Sequence, residues 1–205
     1  MSTNSYIWKD DEKEKSFNYL YKSLSKIFNS KENKELVHAD VGCGNGYLTS
    51  KISQFFKITD GFDTSKLGIE IAKKSFGDKV KFEIIEEDLK KINPDYYDII
   101  TAIEVIEHVY DPRKFLQKLK VKLKKNGKLV ISTPYHGFFK NLAIILSNNF
   151  DHHFNPLWLH GHIKFFSKKT LETVLKENKF KIDQIHYSGR FYPLSKSMIF
   201  VVINE

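Results

Sequence analysis

Two short runs in this chain gather groups able to move protons or hold charge. In IEVIEHVYD, residues 103–111, Glu104, Glu107 and His108 crowd into one segment. Histidine takes and returns protons near neutral pH, so His108 is the first candidate for a general base toward a hydroxyl, with Glu107 beside it. The competing reading is a turn that these two side chains merely organise. In LVHADVGCGNGYLTSKI, residues 36–52, Asp40 precedes Gly42, Gly44 and Gly46, three of only ten glycines. Ordered glycine costs backbone entropy, so clustering it marks a chain that turns sharply or passes very close to something. Apolar residues before the turn read as a strand and those after it as a helix face, a geometry in which a helix N-terminus offers N–H groups to a ligand. Cys43, the single cysteine, excludes an internal disulfide framework and reads as a small filler residue.

The details narrow the ligand. No Lys-Ser/Thr follows the glycines, which excludes the Walker pattern. An acidic residue two positions before the first glycine would repel a pyrophosphate but suits a cationic or amino-bearing ligand. ITDGFDTS ends on Asp63, where a carboxylate can accept from both hydroxyls of a ribose. Capping the next helix is its alternative, although Thr64 or Ser65 could do that instead. FEIIEEDLKKI places Asp88 at the next tip, able to accept from an exocyclic amine or simply to sit in a solvated acidic turn with Glu86 and Glu87.

These residues need a scaffold, and the apolar pattern supplies one. Strands are predicted at 36–41, 57–62, 80–85, 97–103 and 128–133, with helices at about 46–56, 65–76 and 112–124 between them and a loop over 86–96. Pro112 is placed to start its helix and Gly127 to cap its end. A helix over 11–29 precedes the first strand, and a helix opening at Ser167 leads into FKIDQIHY and SMIFVVIN as a closing hairpin. Strands separated by helices imply crossovers and a mainly parallel sheet.

The chain has 205 residues and a formal net charge of +8, but only Arg113 and Arg190 of its 33 basic residues are arginines. Scattered lysine argues for a solvated surface and against nucleic-acid readout, which favours arginine. No apolar run reaches the roughly 18 residues of a membrane span. The first residues, MSTNSYIWKDDEKEK, lack an apolar signal core, which predicts a cytoplasmic location.

HADVGCGNGYLTSKI, GFDTSKLGIEIAKK, EEDL and YDIITAIEVIEHVYDPRKFLQKLKVKLKKNGKLVISTPYHG, in this order across residues 36–136, resemble class I S-adenosylmethionine-dependent methyltransferases. The nearest likeness is to the branch containing the ubiquinone-biosynthesis O-methyltransferases. The resemblance implies a single α/β domain over 1–205 with a helical segment at 1–35: a Rossmann-like seven-stranded, mostly parallel sheet with an antiparallel last strand and helices on both faces. It implies S-adenosyl-L-methionine as methyl donor and S-adenosyl-L-homocysteine as product. Asp40, Gly42, Cys43, Gly44 and Gly46 would surround the methionine moiety. Asp63 would take the ribose, with Thr64 flanking the adenine or the ribose, Asp88 and Leu89 the adenine, and Ile103 or Glu104 the ammonium. In these relatives a Glu-x-x-Glu-His stretch is associated with a divalent metal, and Glu104, Glu107 and His108 match it. A metal is thus possible, but no ligand set is assigned.

Residues 135–166 carry five of the eight histidines together with Trp158 and several phenylalanines. The segment is expected to form a lid over the acceptor, with His160 or His162 as further bases. No cysteine or spaced carboxylate completes a zinc set there. FFKNLAIIL fits either a patch touching a membrane surface or a helix buried on the sheet. The expected function is methyl transfer to a small-molecule hydroxyl. Transfer to nitrogen or carbon on a glycan or lipid-linked intermediate, and a non-catalytic cofactor-binding partner subunit, stay open, as does the oligomeric state.

Overall fold

Leu129 and Ile131 bury their side chains on one face of a sheet and Val130 on the other, the period of two that a strand covered on both sides must show. The computed structural model describes residues 16–158 and 161–205. Residues 11–15 of the expected first helix, and His160, lie outside them. The strands are β1 (Val37–Val41), β2 (Ile58–Asp63), β3 (Lys81–Ile84), β4 (Tyr97–Ile103), β5 (Leu123–Pro134), β6 (Phe180–Ser188) and β7 (Ser197–Asn204). They form one sheet in the order β3-β2-β1-β4-β5-β7-β6. β7 slots between β5 and β6 and runs against both, and the other neighbouring pairs are parallel.

The helices are α1 (Phe17–Phe28), α2 (Tyr47–Ile52), α3 (Lys66–Phe76), α4 (Pro112–Lys122), α5 (Phe138–Leu146), α6 (Phe150–His153) and α7 (Lys168–Glu177). Leu20, Leu24 and Phe28 of α1 and Ile52 of α2 pack on Ile99, Val130 and Val201. Leu116 and Leu119 of α4 and Leu171 and Leu175 of α7 cover the opposite face. α3 closes the β2–β3 edge through Ile69 and Ala72 against Val80 and Phe82. Capping is local: the Ser65, Asp111 and Ser167 side chains accept from the backbone at Gly68, Lys114 and Thr170.

Three expectations need correction. α2 is a single short helix followed by a 3-10 turn, not a helix through residue 56. The left-handed residue after α4 is Asn126, at φ +63°; Gly127 serves close approach, since a Cβ there would lie 3.1 Å from the Asp98 carbonyl oxygen. FFKNLAIIL is no buried helix. Ile144 is its one buried residue, while Phe138 and Leu146 are 74% and 77% exposed.

Candidate active site

Parallel strands end on the same side of the sheet, so the tips of β1, β2, β3 and β4 open into one cleft of about 1740 Å³. Gly42, Asp63, Thr64, Leu89, Ile103, Glu104, His108 and His162 line it. The first turn is held mainly by β2. The Gly42 and Cys43 amides donate to the Phe62 carbonyl at 2.7 and 3.0 Å, Gly44 to Asp63 Oδ2 at 2.8 Å, and Gly46 to the Cys43 carbonyl at 2.9 Å. The turn therefore gives these N–H groups to β2 and to the Cys43 carbonyl. What glycine supplies is space and conformation. Gly42 sits at φ +86°, and a Cβ there would meet Val105 Cγ2 at 2.3 Å.

Asp40 is buried beneath the turn. Its Oδ1 accepts from Thr101 Oγ1 at 2.6 Å and its Oδ2 from Thr49 Oγ1 at 2.5 Å. Burial raises its pKa, and the two hydroxyls oppose that rise. Because the Thr101 hydroxyl donates to Asp40, it accepts from His38 Nε2, 2.9 Å away. His38 is fully buried and its pKa falls to about 3 for want of solvent. Asp40 thus braces the floor, and neither it nor Cys43, whose thiol burial pushes well up, lines the main cleft.

Asp63 stands at the lip. Oδ1 accepts from the Ser65 amide at 2.7 Å and Oδ2 from the Gly44 amide at 2.8 Å. Each carboxylate oxygen has two lone-pair directions, so both can still accept from a ligand hydroxyl. The Asp88 side chain turns elsewhere: it pairs with Lys90 at 2.7 Å and does not line the cleft, whereas Leu89 does. Leu89 and Glu104 both hold φ +56°, a strained conformation for residues with a Cβ, and both sit on the cleft wall. Glu104 is fixed by Ser132, whose hydroxyl donates to Oε1 at 2.8 Å.

Above the β4 tip, His108 Nδ1 lies 3.2 Å from the Gly161 carbonyl oxygen. A carbonyl accepts, so Nδ1 carries the proton and the basic lone pair falls on Nε2. Glu107 is 0% exposed and both its carboxyl oxygens lack a hydrogen-bond partner among the described residues. Burial, then the charge of Glu104, pushes its pKa well up. The donor atoms of Glu107, His108 and His162 lie within 4.8 Å of one another. That set of one carboxylate and two imidazoles fits a divalent cation. It differs from the Glu104, Glu107, His108 set implied by sequence, because His162 arrives from the other end of 135–166. When bound, such an ion would polarise a hydroxyl oxygen.

Sequence reasoning missed Thr49 and Thr101, which satisfy Asp40. It also missed Lys140, Arg190 and Lys196, which line the cleft. Thr49 stands three residues past Gly46, a local signal that could have found it. The cations belong to segments that only the fold brings together.

Comparison with known proteins fits this geometry. Residues 13–185 match the methyltransferase domain family. The chain is 33% identical over 151 residues to a mitochondrial ubiquinone biosynthesis O-methyltransferase of Schizosaccharomyces pombe, covering 71% of this chain and 55% of that protein. It is 29% identical over 183 residues to the Dictyostelium discoideum protein of the same name, covering 78% and 57%. The chain thus spans little more than half the length of these curated relatives. A SAM-dependent methyltransferase structure from Aquifex aeolicus superposes with a TM-score of 0.70 at 16% identity, covering 95% of each chain.

Proposed function

The chain belongs to the methyltransferase domain family, and from that membership we propose that it transfers a methyl group from S-adenosylmethionine to a hydroxyl of a small molecule. The observation that supports this reading is the meeting of Gly42, Asp63, Glu104 and His108 in one cleft. The donor carries a sulfonium and an ammonium, and supplies a methyl carbon already activated for displacement.

The residues fit that donor. The Gly42 backbone, free of a Cβ, leaves room for a close approach. The Asp63 oxygens keep acceptor capacity for the two ribose hydroxyls, and Ile85 and Leu89 give the adenine an apolar wall. Glu104, pinned by Ser132, faces the ammonium with a carboxylate. Asp88 has a lesser part in this reading, because its carboxylate is engaged by Lys90.

His108 Nε2 takes the acceptor's proton as the oxygen attacks, while Glu107 and His162 pack around the imidazole. Alignment of nucleophile and methyl carbon does the rest. Residues 135–166 serve as the lid over the acceptor. The exposed apolar residues of α5 favour a second element of this reading, a peripheral contact with a membrane that delivers a lipid-like acceptor.

Calorimetry with S-adenosylmethionine tests the core of the proposal. Wild type binds, and Asp63→Ala weakens binding at least tenfold, the expected cost of removing one charged hydrogen bond of about 1.5–3 kcal/mol or more. Absence of binding by the wild type, or undiminished binding by Asp63→Ala, contradicts it.

A further inference from the structure

Lys140 on α5, and Arg190 and Lys196 between β6 and β7, line the cleft together. Some basic side chains elsewhere on this molecule pair with carboxylates, as in Lys124 with Asp98 at 2.8 Å and Arg113 with Glu177 at 2.7 Å, and many others point into solvent. These three form no ion pair among the described residues. Lys140 Nζ donates to the Lys196 backbone carbonyl at 3.0 Å, and the Lys196 ammonium lies 5.2 Å from the centre of the Tyr19 ring. Neither contact neutralises charge.

Lys140 is the hub of the group. Burial lowers its pKa to about 8, the nearby Glu104 carboxylate opposes that fall, and Arg190 and Lys196 add to it. Its charge also reaches His136, His153 and His162. The cationic wall therefore stands beside the point where Glu104 meets the donor and His108 and His162 meet the acceptor. Gathering like charges in a partly desolvated wall is unfavourable unless an anion joins them.

We propose that the acceptor carries an anionic substituent, a carboxylate or a phosphate, seated on Lys140, Arg190 and Lys196 while its hydroxyl meets His108. Arg190 offers a planar fork suited to two oxygens, and the lysines supply compact charges on either side. This rests on the methyltransferase reading of the cleft and adds the class of acceptor to it.

The test measures binding of phenol, benzoate and phenyl phosphate to the protein saturated with S-adenosylhomocysteine. Benzoate or phenyl phosphate should bind at least tenfold more tightly than phenol, and whichever is tighter identifies the substituent. A Lys140→Gln/Arg190→Gln variant should lose at least tenfold for the anionic probe while phenol and S-adenosylhomocysteine bind as before. Lys125→Gln/Lys169→Gln, which removes equal charge away from the cleft, should change nothing. Equal binding of neutral and anionic probes, or an unaffected cleft variant, overturns the proposal. So does a variant that loses only its attachment to phosphatidylglycerol vesicles, since the cations would then serve a lipid headgroup. Failure of S-adenosylhomocysteine itself to bind is a distinct result, and removes the methyltransferase reading along with this one.

Discussion

Glu107 Oε1 and His162 Nε2 lie 3.9 Å apart, which ties the tip of β4 to the end of the 135–166 segment. The backbone reinforces the tie, since the Ile163 and Lys164 amides both donate to the Glu107 carbonyl, at 2.9 and 3.0 Å. Burial, then the charges of His108, His136 and Lys140, lowers the His162 pKa to about 4. His162 is therefore neutral near pH 7, and the contact is not a salt bridge.

Burial pushes the Glu107 pKa up and so favours its neutral form, which glutamine matches in shape. Glu107→Gln should fold with stability within about 1 kcal/mol of wild type, whereas Glu107→Ala opens a buried cavity and costs about 2 kcal/mol or more. Urea unfolding of both variants checks this. A large loss with glutamine would mean that the carboxylate is ionised in the fold.

His108→Ala should keep its affinity for the methyl donor and lose turnover by about 100- to 10,000-fold, the usual worth of a positioned general base. Added imidazole should restore part of the rate. Unchanged turnover removes His108 from the mechanism.

Gly42→Ala meets two obstacles, the left-handed φ and Val105 Cγ2 at 2.3 Å. Strain of about 1–3 kcal/mol is expected, with weaker donor binding. Val105→Ala in the same chain should relieve the collision and leave the dihedral strain, so melting temperatures should fall in the order wild type, double variant, single variant. A Gly42→Ala protein as stable as wild type would show that the floor yields freely.

His38, His136 and His162 hold pKa values of about 3, 4 and 4, with burial the largest cause in each case. Each accepts a proton near 6.5 when unfolded but not when folded, so its contribution to stability is intact above 6.5 and declines as pH falls toward 4. Asp40, Asp63 and Glu107, raised in the fold, act with the opposite sign, so the clean measurement is a difference. Wild type minus His38→Asn should show stability lost between pH 6.5 and 4, at about 1.4 kcal/mol per unit at most. A flat difference contradicts a neutral buried His38.

The sheet was legible because its causes are local. The runs at 36–41, 57–62 and 97–103 place buried apolar residues such as Ala39, Val41, Phe62, Ile99 and Ile100 at strand spacing, and they fold within a residue of their expected bounds. That Asp63 and Glu104 line the cleft was legible for a related reason: a residue at the end of a parallel strand inherits its position from the strand. Asp88 was less so. Its backbone lies at the right tip, but side-chain direction there depends on Lys90, which competes for the carboxylate. Gly127 misled because a glycine after a helix has two uses, and only the packing of Asp98 against it separates them.

The order of elements, the crowded glycine turn and the acidic strand tips follow from local sequence, since backbone propensity and a period of two or 3.6 act over a few residues. Which distant side chains share a wall came from the way the chain folds back on itself. His162 reaches Glu107, and Lys140 meets Arg190 and Lys196, because backbone hydrogen bonds at Glu107 and Lys196 fix where those segments lie. Electrostatic energy depends on separation in space and on burial, and neither is written in the spacing of residues along a chain.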